Sequence, residues 1–441
     1  VVILTVAVSR ESENHRMKVS FYTFGCRLNQ AETAILQQSF ERAGFEVVDF
    51  RDPADVVVVN TCTVTENGDA DARKLVNRIV RRNRRARIAL IGCQAQVQRD
   101  RLLEMPGVKW VVGNAKKMDL PDIIRHSSGE KPEVIVPAIP KGSFTIDVPG
   151  IDRQHTRANL KIQDGCDFFC SFCEIPFARG RARSRDFQDL VREAQELAKA
   201  GHQEIVLTGI NLGTYRDGTR TIVDVIEALE NVPGLRRIRI SSIEPTTIPD
   251  AILDKMARGG KLCRHLHVPL QSGTDEILRR MNRNYTVEEF TAFVRKAAER
   301  VPDVCLGTDI IVGFPGETEA HFWQTTELVK ELPFAYFHVF SYSEREHSKS
   351  RGLEGKVPPE VIERRSKILR ELSARKRRTY YERFVGRTVT VLFEQKKNGY
   401  WTGLTDTYVR VKVQSDLDLA NRFCEVYLEK VEEQAVVGVL R

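Results

Sequence analysis

From Lys18 onward the chain alternates strand-like and helix-like segments, and no other feature restricts its fold as much. Val19–Tyr22, Val56–Asn60 and Ile88–Ile91 read as strands; the second is a continuous apolar run, the mark of a strand buried on both faces of a parallel sheet. Helical patterns follow each strand, the first over Gln30–Ala43. Each strand also ends at a cysteine, in Gly25-Cys26, Thr61-Cys62-Thr63 and Gly92-Cys93. In a parallel α/β sheet the loops after the strands gather at one edge, so three cysteines remote in sequence are expected to meet there. Helix N-termini at the same edge favour an anionic group. One such cysteine is most simply a buried core thiol; three at equivalent positions point to shared metal ligation.

A second strand–helix series follows residues 126–150, a Pro-, Gly-, Ser- and Lys-rich stretch that reads as a linker. Its candidate strands are Leu160–Asp164, Glu204–Thr208, Arg236–Ile240, His265–Pro269, Val304–Ile310 and Phe334–Phe340. Helical patterns such as Leu190–Ala200 and Ile222–Leu229 separate them. Six βα units suit a parallel barrel, or part of one, with function in the loops after its strands. Directly after the first strand lies Cys166-Asp167-Phe168-Phe169-Cys170-Ser171-Phe172-Cys173. This C-x3-C-x2-C spacing leaves one corner of a tetrahedral metal site, or one iron of a cluster, without a protein ligand. Structural zinc normally takes four ligands, usually in C-x2-C pairs, and no histidine lies close in sequence to complete the set. Cys263, Cys305 and Cys424 carry no pattern and read as structural thiols. Nine cysteines are an odd count and few for a disulfide scaffold of 441 residues, so metal ligation in a reducing cytosol fits better.

A basic helix over residues 359–384 leads to a short last domain. Val389–Phe393, Gly399–Leu404, Tyr408–Val413, Phe423–Leu428 and Ala435–Leu440 read as strands of a small antiparallel β-barrel. Such barrels bind nucleic acid through basic and aromatic side chains, here Tyr400, Trp401, Tyr408 and Arg410, although aromatic residues in so small a barrel more often fill its core. The net charge is +8, and the excess is clustered. Residues 73–87 carry eight bases and no acid; Arg179, Arg181, Arg183 and Arg185 follow the cysteine motif; a third set runs from Arg364 to Arg378. Each cluster alone could be a solvated helix face, but three in one chain favour a nucleic-acid partner. Hydrophobic content of 41% and charged content of 29% describe an ordinary globular protein, with no apolar run long enough to span a membrane. Residues 1–8 are apolar, but the run is short. With Met17 just before the first strand, residues 1–16 fit a loosely ordered extension or an upstream start better than a secretion signal.

The spacing of Cys166, Cys170 and Cys173 after a first barrel strand resembles the radical S-adenosylmethionine (SAM) superfamily. That resemblance implies a [4Fe–4S] cluster on the three thiolates with SAM chelated at the free iron, reductive SAM cleavage, and a 5′-deoxyadenosyl radical. Catalysis would then be carried by the cluster and SAM rather than by a side chain. Phe172 would pack on the adenine. The loops Thr208-Gly209-Ile210-Asn211, Ser241-Ser242-Ile243-Glu244-Pro245, Gln271-Ser272-Gly273 and Val312–Gly316 would hold the rest of SAM, with Gly209, Ser242, Glu244 and Gln271 as candidate contacts. Ordinary turn chemistry is the competing reading for each of them.

The order of parts narrows the resemblance. A three-cysteine α/β domain over 17–125, a radical-SAM partial (β/α)6 barrel over 152–376 and a small terminal barrel over 379–441 are similar to the methylthiotransferase family. There the terminal barrel resembles the TRAM module, which binds RNA. The family implies a second [4Fe–4S] cluster, on Cys26, Cys62 and Cys93, whose open iron carries the transferred sulfur. Thr23-Phe24-Gly25-Cys26-Arg27-Leu28-Asn29-Gln30, Lys161-Ile162-Gln163-Asp164-Gly165-Cys166 and Ile175-Pro176-Phe177-Ala178-Arg179-Gly180 are similar to the branch that modifies N6-threonylcarbamoyladenosine beside the tRNA anticodon. The isopentenyladenosine branch usually has Gln-Met-Asn after its first cysteine, where Arg27-Leu28-Asn29 stands here. Glu174 departs from the apolar residue expected in either tRNA branch.

The resemblance thus implies a cytoplasmic enzyme whose partners are a tRNA anticodon stem-loop, an electron donor and a sulfur source. One SAM would methylate sulfur at the N-terminal cluster, and a second would supply the radical that takes hydrogen from C2 of the adenine. An aromatic C–H has no usable acidity at neutral pH, which is a physical reason for a radical route. The alternatives are methylthiolation of isopentenyladenosine or, in a different class, a non-catalytic iron–sulfur protein that binds RNA or senses redox state. The last explains six cysteines and the charge, but not a six-unit barrel.

Overall fold

In the computed structural model, which describes residues 16–63, 66–127 and 131–441, the first sheet has six strands, all parallel. The chain runs β1 (Lys18–Thr23), α1 (Arg27–Arg42), β2 (Glu46–Val48), β3 (Val56–Thr61), α2 (Glu66–Arg82), β4 (Arg87–Gly92), α3 (Cys93–Gln98), β5 (Val108–Val112), α4 (Leu120–His126) and β6 (Glu133–Ile135). The spatial order is β2-β1-β3-β4-β5-β6. All of β3 is buried, as its unbroken valine run requires of a central strand. Strand β6 falls in the stretch read as a linker; it is three residues long and half-buried at the sheet edge, so it carries no apolar run to announce it.

The middle of the chain supplies β7 (Ala158–Lys161), β8 (Gln163–Asp164), α5 (Ile175–Arg179), β9 (Arg183–Ser184), α6 (Phe187–Lys199), β10 (Glu204–Thr208), α7 (Ile222–Glu230), β11 (Arg237–Ile240), α8 (Asp250–Arg258), β12 (His265–His267), α9 (Asp275–Arg280), α10 (Val287–Arg300), β13 (Cys305–Val312), α11 (Glu319–Glu331), β14 (Tyr336–Ser341) and α12 (Pro359–Glu382). Two parallel three-stranded sheets, β11-β10-β7 and β12-β13-β14, meet where Ile238 bridges to Leu262. The six strands therefore form one open, partial barrel in sequence order. Capping boxes at Thr221/Asp224 and Thr286/Glu289 fix the starts of α7 and α10 by satisfying amides that have no partner within the helix. The open flank beside β7 is covered by α1 of the first domain, where Asn159 meets Arg27 at 3.5 Å and Gln30 at 3.4 Å.

Helix α12 belongs to two cores. Leu369 and Leu372 pack into the partial barrel, whereas Tyr380 and Tyr381 are buried with the last domain, so one unbroken helix runs through residues 376–379. That domain closes β15 (Thr388–Lys397), β16 (Tyr400–Leu404), β17 (Arg410–Gln414), β18 (Phe423–Glu432) and β19 (Ala435–Leu440) into a barrel. Four of its pairings are antiparallel, and the seam between β17 and β19 is parallel. It docks on β11 through two arginines. Arg237 donates to the carbonyls of Leu404 at 2.9 Å and Thr390 at 2.7 Å, and Arg239 to that of Thr405 at 3.0 Å. Among the described residues no helix is long and apolar enough to cross a membrane.

Candidate functional site

The three strand-end cysteines of the first sheet converge. Gly25 turns the chain between β1 and α1 at φ 91°, and a Cβ there would lie 2.9 Å from Cys62 Sγ, so only glycine lets the two loops close. Cys26 is the N-cap of α1 and its side chain makes no capping bond, which leaves the sulfur available beside a helix N-terminus. Cys93 opens α3, and the Asn114 amide stands 3.9 Å from its sulfur.

The second triad lies in the loop between β8 and α5. The loop is pinned along its length: Ser171 N–H donates to Met281 O at 2.9 Å, and the Asn282 amide donates to Phe169 O at 3.0 Å. Phe169 itself sits at φ 49°, a left-handed conformation uncommon for a bulky residue and typical of strained functional loops. Burial pushes the Cys166 thiol up to about 11 and raises Cys173 further, with Cys170 adding to both. Burial also raises Cys170, against Arg283, whose guanidinium donates to its sulfur at 3.0 Å.

Among the described residues the only three ligand-type atoms within 4.8 Å of one another belong to His267, Asp309 and His338; neither cysteine triad is so close. Tetrahedral zinc, with bonds of about 2.3 Å, would need its sulfurs about 3.8 Å apart. Thiolates also suit an iron–sulfur cluster, which takes each one at a different iron.

Two cavities open beside these loops. The larger, about 560 Å³, is lined by Cys26, Cys62, Arg27, Ser242, His338 and Tyr408 among others, so all three domains contribute to it. The smaller, about 180 Å³, is lined by Phe172, Gln271, Asp309, Ile311, Phe340 and Tyr342 among others, and shares Phe340 with the first. The residues proposed from sequence as SAM contacts are thus divided. Phe172 and Gln271 line the smaller cavity, while Gly209 and Ser242 line the larger. Glu244 lines neither; Arg283 engages its carboxylate, and burial raises the Glu244 pKa despite that partner. Gln271 sits at φ 73°, and its buried Oε1 has no hydrogen-bond partner among the described residues. Gly209 also has a packing reason: a Cβ there would stand 2.9 Å from Gln163 Oε1, the acceptor for Ile210 and Asn211 N–H.

Sequence reasoning missed Arg283 and the Asp309 group. His267 Nε2 is 2.9 Å and His338 Nδ1 3.1 Å from Asp309 Oδ1. Burial alone would raise Asp309, but His267 and His338 hold it well below the usual carboxylate range. A carboxylate inside the largely buried strand β13 was the available signal.

The base cluster Arg179–Arg185 is only partly on the surface, which corrects its reading as part of a nucleic-acid face. Arg179 and Arg185 are fully buried. Arg179 pairs with Glu32 and Asp164, each at 3.0 Å, and Arg185 pairs with Asp189 at 2.6 Å, because a buried guanidinium is tolerable only when paired. Lys161 and Lys117 complete the network around Glu32 at 2.7 and 2.5 Å. In the third cluster Arg365 is likewise buried against Glu317. By contrast, of the eight bases over 73–87 only Arg87 is withdrawn from solvent, and the rest stand exposed on and just after α2. Glu174, unexplained by sequence, is buried and accepts from the His347 ring nitrogen at 2.6 Å and its N–H at 3.3 Å.

Residues 160–329 match the family model described as Radical SAM superfamily, and residues 18–113 the one described as Uncharacterized protein family UPF0004. The chain is 37% identical to Threonylcarbamoyladenosine tRNA methylthiotransferase MtaB of Bacillus subtilis (strain 168), over 93% of this chain and 94% of the relative. It belongs to the methylthiotransferase family of radical SAM enzymes. This methylthiotransferase is also 35% identical to the protein named MtaB in Thermotoga maritima, over 96% of each chain. Identity is 32%, over 96% of each, with tRNA-2-methylthio-N(6)-dimethylallyladenosine synthase of Thermotoga petrophila. Among solved structures, the radical SAM methyltransferase TsrM from Kitasatospora setae superposes with a TM-score of 0.54 at 19% identity, over 74% of this chain and 75% of that one, a likeness of fold alone. Membership makes this methylthiotransferase an enzyme that transfers a sulfur-containing group, with SAM and iron–sulfur as cofactors. The reading as a non-catalytic binding or sensing protein is thereby set aside.

Proposed function

We propose that the enzyme transfers a methylthio group to C2 of N6-threonylcarbamoyladenosine beside the anticodon of tRNA. Cys166, Cys170 and Cys173 would hold a SAM-binding [4Fe–4S] cluster, and Cys26, Cys62 and Cys93 a second one. The observation that carries this reading is the larger cavity, which is lined by Cys26 and Cys62 and shares Phe340 with the Phe172–Gln271 cavity. When bound, the two clusters and SAM supply the radical and the sulfur that no side chain here can provide.

The chain's own residues bind, orient and exclude water. Phe172 and Ile311 offer apolar walls for an adenine, and the orphaned Gln271 carbonyl oxygen offers an acceptor to its amino group. Arg283 places a positive charge against the Cys170 sulfur and ties it to Glu244. The base enters the larger cavity unstacked, as a single-stranded anticodon loop allows. The exposed bases of α2 and the terminal barrel grip the backbone. The electron donor and the sulfur source come from outside, in the cytoplasm.

Mass spectrometry of tRNA nucleosides from cells with and without the protein tests the reading. Loss of the methylthio form of threonylcarbamoyladenosine on deletion is the expected result. Loss confined to isopentenyladenosine would reject the branch. Reconstituted protein should carry about eight irons, whereas about four would reject the second cluster. Cys170→Ala should abolish 5′-deoxyadenosine formation on anaerobic reduction with SAM.

A further inference from the structure

We infer that Arg27 recognises a carboxylate on the N6 substituent of the substrate base and so selects an anionic substituent over a hydrocarbon one. This deepens, and rests on, the function proposed above. Three guanidiniums cluster where the domains meet. Arg157 is paired with Glu394 at 2.6 Å, and Arg239 with Glu204 at 2.8 Å. Arg27 has no such partner: among the described residues no carboxylate lies within ion-pairing distance of it. The charged or polar groups that act on it most are Arg157, Tyr408 and Arg239. It contacts the Tyr408 hydroxyl and, at 3.5 Å, the Asn159 side-chain oxygen. A guanidinium drawn in among two others and left without an anion is costly unless a ligand provides one.

Its position says which ligand group that is. Arg27 follows Cys26 directly and lines the cavity that Cys26 and Cys62 enter, and no acid is among the cavity's lining residues. Of the other basic side chains there, His265 meets the Tyr336 hydroxyl through Nε2 at 3.0 Å and keeps Nδ1 without a partner, and the rest are paired with acids. His267 and His338 share Asp309, and Arg239 is spent on Glu204 and the terminal barrel. In an adenine, C2 and C6 both flank N1, so a base whose C2 meets the N-terminal cysteine site must project its N6 substituent into the immediate neighbourhood. A substituent ending in a carboxylate would meet Arg27 there, and a planar guanidinium suits a carboxylate through two parallel hydrogen bonds. A prenyl chain would leave the charge unpaired, so the same residue discriminates against it. Tyr408 comes from the terminal barrel at φ 62°, which makes this corner a joint product of the first and last domains.

The test compares two anticodon stem-loops, one carrying threonylcarbamoyladenosine and one its methyl ester, with the holoenzyme. Wild type should favour the acid by about ten- to a hundredfold in kcat/KM, the range for a hydrogen-bonded charge, and should show the same preference in equilibrium binding by fluorescence anisotropy. Arg27→Gln should abolish the preference, chiefly by raising KM for the acid, while Arg27→Lys should keep part of it. Because the readout is a ratio of two substrates, loss of iron in a variant cancels. A wild type that modifies acid and ester equally well, or an Arg27→Gln variant that keeps the full preference, would overturn the inference. A wild type that modifies neither stem-loop but acts on isopentenyladenosine would instead reject the proposed function.

Discussion

At the level of single residues, Glu32 shows how much of this molecule depends on charges the sequence does not pair. It accepts from Arg179 through both carboxylate oxygens at 3.0 Å and has Lys161 and Lys117 on its other sides, all of them buried. Glu32→Gln would leave these cations with Asp164 alone, and removing one member of a buried ion set typically costs about 3–5 kcal/mol. Urea unfolding should reveal that loss. The pH dependence follows from the same group. Burial alone would raise Glu32 and Asp164, but the surrounding cations hold both well below the usual carboxylate range. Depressed carboxylates stabilise the fold fully above their unfolded pKa of about 4, and that contribution is lost as pH falls toward the folded value. Wild type should therefore lose stability below about pH 4 more steeply than Glu32→Gln. The placing of the cysteines was legible in the chain because Cys26, Cys62 and Cys93 each follow a strand, as does the C-x3-C-x2-C motif. Arg179 was not legible, because its partner Glu32 lies 147 positions away and nothing local distinguishes it from a surface base.

Among the elements, the segment between β14 and α12 links the two cysteine sites. Arg345 donates to Thr63 Oγ1 at 2.6 Å and to Asp69 at 2.7 Å, next to Cys62, while His347 holds Glu174, next to Cys173. Arg345→Ala should cost about 1–3 kcal/mol locally and raise hydrogen exchange across residues 343–348. Unchanged exchange there would mean that the segment is held by other contacts. The Glu174 carboxylate, at odds with the family pattern, thus has a structural task that only the folded chain displays. Strands with long apolar runs were readable to within a few residues; β10 spans Glu204–Thr208 as expected. The short edge strands β2 and β6 were not, since three residues with one side open to solvent have no periodicity to read.

Over the whole molecule, the first and last domains both abut the partial barrel, and exposed bases stand along α2 and part of α12. Replacing Arg78, Arg81 and Arg85 together by alanine should weaken tRNA binding at all sequences and lower the slope of log K against log salt by about one unit per lost phosphate contact. Anisotropy titrations at several salt concentrations measure this, and an unchanged slope would move the RNA path off α2. The three-part architecture was legible because each part has its own pattern: runs ending at cysteines, six βα units, then short strands. How the parts lock together was not, because it rests on side chains such as Arg237 meeting carbonyls more than 150 positions away. The buried network around Glu32 has a consequence in time as well as in space. A ribosome releases residues 17–125 long before it releases Lys161, Asp164 and Arg179, and domains tend to fold in the order they emerge. The nascent first domain would then hold Glu32 with Lys117 as its only cation of the network, and Asn114, which flanks Cys93, would still lack the Ala178 carbonyl that anchors it at 2.6 Å. The proposed cluster site at Cys26, Cys62 and Cys93 is thus completed from behind by chain made later, so its loading should follow translation of the barrel's first loop rather than accompany folding of its own domain.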